Sequence, residues 1–204
     1  LQGVEFEEVN LYEDGMDWVY VERSDIPHES VLKQCKRAKK MKPIKPRVPL
    51  MTPVEQDELL PPVIVFDIDG TIADSTGLRS PYDYSNVAGD RVIENVAEVV
   101  KSLDEAWAEN VLNNPRVIFV SGRSEDSRAE TVDWLHAHIS HHIELHMRPS
   151  GDDRHDAVIK REILEGLVKT YYVMGAFDDR LRVLDMWRAS GIFTFSVNQK
   201  EEDF

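Results

Sequence analysis

Short apolar segments alternate with longer segments of helical periodicity along most of the chain after residue 62. The apolar segments are residues 63–66, 117–120, 143–147, 172–177 and 192–197, and the helical ones are residues 91–112, 125–140, 156–169 and 180–190. The apolar segments are mostly β-branched or aromatic, as expected of strands that are covered on both faces. This alternation predicts an α/β fold, with a Rossmann-like parallel sheet covered by helices on both faces and joined by right-handed crossovers.

Residues 1–60 have a different pattern. Alternating apolar and acidic positions in residues 1–24 predict one or two short strands, and Pro27 follows a helix-start signal that predicts a helix over about residues 28–41. Repeated prolines in residues 42–62 indicate a stiff linker. We therefore expect an N-terminal extension over residues 1–60 and a second domain over residues 61–204.

The net charge of −14 argues against a protein that coats nucleic acid nonspecifically, because such proteins carry a basic excess. Residues 33–47 nevertheless hold eight Lys or Arg and no acid. This segment is either a solvated helix face and linker or a contact for a phosphate backbone. No apolar run approaches the roughly 20 residues of a membrane span, and no signal segment is visible. These features predict a cytoplasmic protein with no membrane association.

Polar clusters follow three of the predicted strands. They are DIDGT (67–71), SGR (121–123) and DDR (178–180). Ligands of parallel α/β sheets bind beyond the carboxyl ends of the strands, so the three clusters should face one crevice. A fourth segment, residues 147–160, leaves the third strand and ends with a lysine inside a predicted helix.

The residue types in these clusters favour phosphoryl chemistry. Several carboxylates in one dry site repel each other unless a cation joins them, and all-oxygen ligands favour Mg²⁺. Asp67 can then act as a nucleophile toward phosphorus, and Asp69 can reach the leaving oxygen as a general acid. The hydroxyls of Thr71 and Ser121 and the ammonium of Lys160 can bind the phosphoryl oxygens. Each feature alone has an ordinary structural explanation, but their joint placement after successive strands is specific.

The four motifs resemble the signature of haloacid dehalogenase superfamily phosphatases, over residues 62–198. The resemblance implies that Asp67 forms an aspartyl-phosphate and that Asp69 acts first as the acid and then as the base that activates water. It also implies that Mg²⁺ is held by the Asp67 carboxylate, the Asp69 carbonyl oxygen and Asp178, with Asp179 as a direct or water-mediated ligand.

A narrower resemblance concerns the substrate. RSPYDY (79–84), VSGRSE (120–125), RPSGDDRHDAVIKREI (148–163) and AFDDRLRVLDMWR (176–188) resemble the 3′-phosphatase domain of the bacteriophage polynucleotide kinase/phosphatase family. This implies removal of 3′-phosphates from RNA or DNA ends during nucleic-acid repair in an infected bacterial cytoplasm, and a self-associating protein.

The same resemblance adds Arg79, Arg123 and Asp156 to the site beside Lys160. Arginine forks suit a phosphate, and Asp156 lies four residues before Lys160, where it can orient that lysine on one helical face. Two further arginines are candidate phosphate or nucleotide contacts, although a structural salt bridge in the Asp-rich segment explains them equally well. They are Arg148 and Arg154.

The segment SDIPHESVLKQCKRA (24–38) resembles the last part of the kinase domain of that family. The sequence contains no GxxxxGK[ST] loop, which is the cradle for ATP phosphates. We therefore expect no 5′-kinase activity from this chain. Residues 1–60 would be a lid remnant or a docking platform.

Three histidines, His138, His142 and His146, are spaced four apart, as in helical zinc sites. However, the predicted helix ends near Ser140 and His146 falls on the next strand, so we do not expect zinc. Core packing is the preferred interpretation of Trp134, Met186 and Trp187.

The leading hypothesis is thus a Mg²⁺-dependent polynucleotide 3′-phosphatase. A first alternative is a phosphatase of the same fold that acts on nucleotides or sugar phosphates. Only about 20 residues separate Thr71 from the helix near Arg91, and so short a cap favours a macromolecular end. A second alternative is an inert tethering module that merely binds metal, against which the intact aspartates and lysine argue.

Overall fold

The computed structural model describes residues 6–10, 18–22, 52–80, 83–84, 86–109 and 114–197. The chain divides into two compact units, residues 1–47 and 48–204. In the first unit, β1 (Phe6–Asn10) pairs with β2 (Trp18–Glu22) in an antiparallel sheet. The predicted helix over about residues 28–41 and the basic segment 33–47 lie outside the described residues. The assignment of functional domains to residues 1–60 and 61–204 stays a prediction.

The second unit alternates strands and helices. In chain order these are β3 (Pro62–Phe66), β4 (Ala73–Asp74), β5 (Arg91–Val92), α1 (Glu94–Ala108), β6 (Arg116–Ser124), α2 (Arg128–His138), β7 (Leu145–Arg148), α3 (Asp156–Leu167), β8 (Tyr172–Asp178), α4 (Leu181–Ala189) and β9 (Thr194–Ser196). Strands β7, β6, β3, β8 and β9, in this order, form a five-stranded sheet in which all neighbours are parallel. The predicted α/β fold with a parallel sheet is confirmed.

Side chains of β3 alternate between two hydrophobic cores. Val63 and Val65 belong to the core beneath α3 and α4, whereas Ile64 and Phe66 pack in the core beneath α1 and α2. This explains why the strand is apolar at every position, since neither face meets water. The predicted core residues Trp134, Met186 and Trp187 are 2%, 0% and 1% exposed.

The strand order places the carboxyl ends of β3 and β8 side by side. From β3 the chain moves outward through β6 to β7 and then returns to the other side of β3 as β8 and β9. The crevice of an open α/β sheet lies where the direction of winding reverses. The first and last of the three polar clusters therefore meet at one point.

Several boundaries differ from the predicted ones. Helix α1 begins at Glu94 because Arg91–Val92 pair with β4 in a short antiparallel sheet. Helix α2 begins at Arg128 because Glu125–Ser127 form a 3₁₀ turn, where the Ser124 side chain accepts a hydrogen bond from the Asp126 N–H. No helix among the described residues is both long enough and apolar enough to cross a bilayer.

Residues 52–62, the described part of the predicted linker, pack within the second unit. The Val54 N–H donates to the Ser190 carbonyl at 3.0 Å. The side chain of Gln56 exchanges two hydrogen bonds with the backbone of Val173, at 2.8 and 3.3 Å. From residue 52 onward this segment is thus part of the folded unit and not a free spacer.

Candidate active site

A tight turn follows β3 and carries the two aspartates of the first cluster. The Ile68 carbonyl accepts hydrogen bonds from the N–H groups of Thr71, Ile72 and Ala73 at 2.9–3.2 Å. Gly70 within this turn has a φ of +86°, and a Cβ there would lie 2.6 Å from Cγ of Asp179. The turn therefore requires glycine, both for its left-handed backbone and for the close approach of Asp179.

Three buried carboxylates lie together where β3 and β8 end. One oxygen from each of Asp67, Asp178 and Asp179 lies within 4.8 Å of the others. Nζ of Lys160 donates to Oδ1 of Asp67 and to Oδ2 of Asp178, both at 2.7 Å. The Thr71 hydroxyl donates to the other oxygen of Asp67 at 3.3 Å. Asp67 of the DIDGT cluster, Asp178 and Asp179 of the DDR cluster, and Lys160 thus converge on one site.

The site is short of positive charge. Burial raises the pKa of Asp67 well above its ordinary value, and the charges of Asp178 and Asp179 add to the rise, which Lys160 only partly offsets. Burial by itself lowers the pKa of Lys160, but the carboxylates of Asp178 and Asp67 outweigh it, so the net shift is upward and the ammonium stays charged. Lys160, together with the charge of the nearby Arg180, therefore does not fully balance the three carboxylates.

The three carboxylates fit a hard divalent cation. All three donors are oxygens, and a bound cation would oppose the rise in the pKa of Asp67 that burial, and then the charges of Asp178 and Asp179, produce. A bound ion would neutralise charge on Asp67 and on a phosphate group that bound beside it. The Asp69 side chain lies outside this cluster, and its oxygens accept hydrogen bonds from arginines. That Asp69 holds the metal through its carbonyl oxygen stays a prediction.

Asp69 lies between Arg79 and Arg123. Nε and Nη2 of Arg123 donate to its two oxygens at 2.8 and 2.7 Å, and Nη2 of Arg79 donates to Oδ1 at 2.8 Å. Burial alone would raise the pKa of Asp69, but hydrogen bonds and charges from Arg123 and Arg79 outweigh it and lower that pKa. Asp69 is therefore held as a carboxylate in this state.

Asp90 is a site residue that the sequence did not reveal. It accepts hydrogen bonds from Nε and Nη2 of Arg79, both at 2.7 Å, and from Nη2 of Arg123 at 2.8 Å. Asp90 belongs to none of the motifs, and the β4–β5 pairing brings it back to the turn after β3. The signal that the sequence offers for Asp90 is its position directly before the helical segment predicted over residues 91–112. An acid at such a position is common and does not indicate a functional site.

Asp156 pairs with arginines and not with the lysine that its spacing suggested. Oδ2 accepts from Nη1 of Arg180 at 2.6 Å, and Oδ1 accepts from Nη2 of Arg148. Asp156 acts on Lys160 through its charge, which contributes to the raised pKa of the lysine. Since Lys160 donates to Asp67 and Asp178 instead, the orienting role expected of Asp156 stays a prediction. Gly122 permits this arrangement, since a Cβ there would lie 2.8 Å from Cγ of Asp156.

Most of the predicted residues come together at this end of the sheet. Ser121 is fully buried, and its hydroxyl accepts a hydrogen bond from the Arg123 N–H at 3.2 Å. Arg154 is the exception, because it is 47% exposed and forms ion pairs with Asp152 and Glu162. The sequence left two interpretations open for Arg154, a phosphate or nucleotide contact and a structural salt bridge. The contacts observed are those of a surface salt bridge.

The histidines do not share a site. His138 ends α2, while His142 contacts Asp104 at 3.3 Å and His146, on β7, contacts Glu144 at 3.1 Å. The interpretation that the helix ends before the third histidine is correct.

Comparison with known proteins identifies the family. Residues 61–204 match the family model of the polynucleotide kinase PNKP phosphatase domain. The chain belongs to this family. The sheet is accordingly of the haloacid dehalogenase type, the chain carries a phosphatase domain, and the predicted resemblance to the phosphatase part of polynucleotide kinase/phosphatases is confirmed.

The solved structures that are similar to this chain include two RNA repair complexes. A chain in the structure of the Pnkp1/Rnl/Hen1 RNA repair complex is 33% identical, with a TM-score of 0.65. A chain in a second Pnkp1/Rnl/Hen1 complex is 30% identical, with a TM-score of 0.64. The matches cover 86% and 88% of this chain but 55% and 62% of those chains. This chain thus spans less than two thirds of the length of either relative.

Proposed function

We propose that this protein is a Mg²⁺-dependent polynucleotide 3′-phosphatase that removes 3′-phosphates from nucleic-acid ends, RNA ends above all. The observation that carries the proposal is the arrangement around Asp67. This buried carboxylate accepts a hydrogen bond from Lys160 at 2.7 Å and lies beside Asp178 and Asp179. Asp69, two residues further along the chain, is held by hydrogen bonds from Arg79 and Arg123. Membership of the polynucleotide kinase phosphatase family supports the substrate class, and the RNA repair complexes of its relatives support the context.

In the first half of the proposed reaction, Asp67 attacks the phosphorus. An oxygen of Asp67 forms the new P–O bond, and the bond from phosphorus to the 3′-oxygen breaks with its electron pair going to that oxygen. The leaving oxygen takes a proton from Asp69 and departs as a 3′-hydroxyl. A phosphate dianion that enters beside Asp69 raises the pKa of that carboxyl by repulsion and competes for its arginines, which favours the protonated form needed here.

In the second half, water releases the phosphate from Asp67. The Asp69 carboxylate takes a proton from water, the water oxygen attacks phosphorus, and the bond to Asp67 breaks to restore the free carboxylate and inorganic phosphate. The low pKa that Arg123 and Arg79 impose on Asp69 suits this return to the charged form. Lys160, whose ammonium has a third N–H beyond the two donated to Asp67 and Asp178, can bind a phosphoryl oxygen with the Ser121 and Thr71 hydroxyls.

The rim of the site suits a polyanionic chain. Arg180 is 38% exposed and Arg148 is 15% exposed, and both are tied to Asp156. Their guanidinium groups can meet the phosphate next to the reacting one, because arginine binds phosphate through two parallel hydrogen bonds. The proposal includes three further expectations for this chain. It self-associates, it binds partner proteins like Rnl and Hen1, and it lacks 5′-kinase activity.

The test is phosphate release from one RNA and one DNA oligonucleotide carrying a 3′-phosphate. The matching 5′-phosphorylated oligonucleotides, a 3′-mononucleotide and an aryl phosphate serve as comparisons, each with Mg²⁺ or with chelator. Wild type, Asp67→Asn and the control Asp104→Asn are compared, since Asp104 is a partly buried carboxylate that binds Ser140 and not the site.

We expect the 3′-phosphorylated oligonucleotides to be the preferred substrates. Release should stop with chelator and in Asp67→Asn, and the control should match wild type. Acid-quenched wild type should carry phosphate on the protein, and Asp67→Asn should carry none. Equal or faster turnover of the mononucleotide or aryl phosphate would instead support a small-molecule phosphatase. Absence of turnover with every substrate would support an inert tethering module.

A further inference from the structure

Three phenylalanine rings lie side by side across the sheet. Phe66 on β3, Phe177 on β8 and Phe195 on β9 occupy matching positions in the register of these parallel strands. Neighbouring rings are stacked, with centroids 4.3 Å apart and planes 11° apart at both steps. Phe66 directly precedes Asp67 and Phe177 directly precedes Asp178, so this phenylalanine row lies next to the candidate active site.

The phenylalanine row runs from the core to the surface. Phe66 is 0% exposed in the core beneath α1 and α2, whereas Phe195 is 41% exposed. Phe193 lies two residues before Phe195, on the same face of β9. It is 66% exposed, and its ring meets that of Phe195 edge to face, with centroids 5.1 Å apart. The outer end of the row is therefore an aromatic corner, made of the rings of Phe193 and Phe195.

The ring of Phe195 is held in place by β8. A Cβ at Gly175 would lie 3.1 Å from Cε2 of Phe195, so the glycine lets the ring pack closely onto the strand. On its inner side the ring stacks on Phe177. Its orientation is thus set from two sides before a ligand binds, which lowers the conformational entropy that binding costs.

The aromatic corner has the shape of a binding site for a planar ring. It lies on β9, an edge strand of the five-stranded sheet, and proteins usually place charged residues or proline on such edges. Adjacent exposed phenylalanines are instead typical of interaction sites. The next position of a row of stacked rings fits another flat ring, and every nucleobase offers one, whatever the sequence of the strand.

We propose that the aromatic corner is a nucleobase-binding subsite, in which the terminal or penultimate base of a 3′-phosphorylated strand stacks on Phe195 and meets Phe193 at its edge. This inference rests on the proposed function, which puts the reacting phosphate at Asp67. Phe195 lies two strands away from the strand that carries Asp67, a distance of about 10 Å at the usual strand spacing. The last two nucleotides of a strand can span that distance.

A protein contact at the aromatic corner predicts a different result. Loss of a base from the substrate does not affect a surface that binds another protein, but it removes the partner of Phe195 in a base-stacking subsite. Stacking involves no phosphate contact, so its loss should leave the salt dependence of binding unchanged. Removal of the base and removal of the ring should have the same effect, and removal of both should cost little more than removal of either.

The experiment combines protein variants with substrates that lack single bases. Phe195→Ala, Phe193→Ala and wild type are compared with the control Val99→Ala, since Val99 on α1 is as exposed as Phe195, at 41%. The substrates are 3′-phosphorylated oligonucleotides, made as RNA and as DNA. One is intact, and the others carry a tetrahydrofuran abasic residue at the first, second or sixth position from the 3′ end.

Two quantities are measured for each combination. The first is kcat/KM for phosphate release with Mg²⁺. The second is the dissociation constant, from fluorescence anisotropy of a 5′-labelled oligonucleotide with each protein carrying Asp67→Asn, so that binding is followed without turnover. Circular dichroism establishes that each variant is folded, and light scattering gives its oligomeric state.

We expect an abasic residue at the first or second position to lower kcat/KM of wild type, and to raise its dissociation constant, about 5- to 30-fold. Phe195→Ala should show this loss already with the intact oligonucleotide and little further loss with the abasic one. Phe193→Ala should show a smaller loss of the same kind. The abasic residue at the sixth position and the control Val99→Ala should each change both quantities by less than about 2-fold.

Several results would overturn the subsite. One is a loss in Phe195→Ala that is equally large with intact and abasic oligonucleotides, as a purely structural role predicts. Another is wild type that tolerates an abasic residue at every position. A changed oligomeric state of Phe195→Ala with unchanged dependence on the bases would assign the aromatic corner to a protein contact and would also overturn the proposal.

Failure of Phe195→Ala to fold still gives an answer, because Phe193→Ala and the response of wild type to abasic residues then decide. Wild type that hydrolyses the oligonucleotides without any dependence on the bases would overturn this inference alone. Wild type that neither binds nor hydrolyses oligonucleotides would overturn the proposed function as well.

Discussion

Nζ of Lys160 lies 2.7 Å from Oδ1 of Asp67, and the lysine side chain is 2% exposed. A cation is therefore placed directly on Asp67, the proposed nucleophile, in a part of the protein from which water is largely excluded. It offsets the repulsion between Asp67 and its neighbours Asp178 and Asp179 without cancelling it, because burial and those neighbours still raise the pKa of Asp67. Placing the charged Asp67 carboxylate here therefore costs stability, as is common at functional sites.

Replacement of Lys160 by methionine should inactivate the enzyme while preserving the length of the side chain. Loss of the ammonium removes a donor from the phosphoryl group, and kcat should fall at least about 100-fold. The free energy of unfolding should also fall, by about 3 kcal/mol, because a buried ion pair loses one partner. Lys101→Met is the matched control, since Lys101 is 36% exposed and pairs with Glu98 on the surface. Activity of Lys160→Met within about threefold of wild type would contradict this role.

Replacement of Asp67 by asparagine should change how stability depends on pH when metal is chelated. The pKa of Asp67 is raised in the folded protein above its ordinary value of 3.8. The folded state therefore binds the proton more tightly than the unfolded state does. This contribution to stability is complete below pH 3.8 and is lost as the pH rises through the folded-state pKa.

Asp67→Asn has no such carboxyl, so its stability relative to wild type should increase as the pH rises above about 4. Urea unfolding of both proteins with chelator, at a series of pH values up to 8, measures the difference. Added Mg²⁺ should stabilise wild type more than the variant. Parallel pH dependences of the two proteins would show that Asp67 is not destabilising in the metal-free state.

Much of the fold and the acidic cluster could be predicted because simple rules fix them. Continuous apolar runs such as residues 63–66 mark strands buried on both faces, and residues after such strands collect at one edge of the sheet. Asp67 and Asp178 were found in this way, since each directly follows or ends a strand. The core positions of Trp134 and Trp187 follow from the helical periodicity of residues 125–140 and 180–190.

The partners of individual side chains could not be predicted in this way. Asp90 enters the site through the short β4–β5 pairing, and a pair of two-residue strands leaves almost no pattern in a sequence. Asp156 is four residues from Lys160, yet Arg148 and Arg180 approach it from other elements and take its oxygens. Spacing along the chain indicates which neighbours a side chain can reach, and tertiary packing decides which of them it contacts.

Replacement of Gly70 by alanine should damage the site as well as the backbone. Its φ of +86° is unfavourable for alanine, at a cost of about 1–2 kcal/mol. The added Cβ would also collide with the Asp179 carboxylate. Gly77→Ala is the matched control, because its φ is +75° and nothing lies within 4 Å of the new Cβ.

Both glycine variants should therefore lose similar backbone stability, but only Gly70→Ala should lose activity, by about 10-fold or more, and bind Mg²⁺ more weakly. Thermal melting, kcat and calorimetric titration with Mg²⁺ measure the three effects. If Gly77→Ala lost as much activity as Gly70→Ala, backbone strain and not displacement of Asp179 would be the cause.

Two exposed arginines near the site should contribute very differently to substrate binding. Arg180 bonds Asp156 at 2.6 Å at the rim of the site, so Arg180→Ala should raise KM for a 3′-phosphorylated oligonucleotide about 10-fold. It should also reduce the dependence of binding on salt concentration by about one phosphate contact. Arg154 is instead held by Asp152 and Glu162, so Arg154→Ala should leave KM and the salt dependence unchanged. Steady-state kinetics at several salt concentrations measure both quantities, and a flatter salt dependence in Arg154→Ala would make Arg154 a phosphate contact after all.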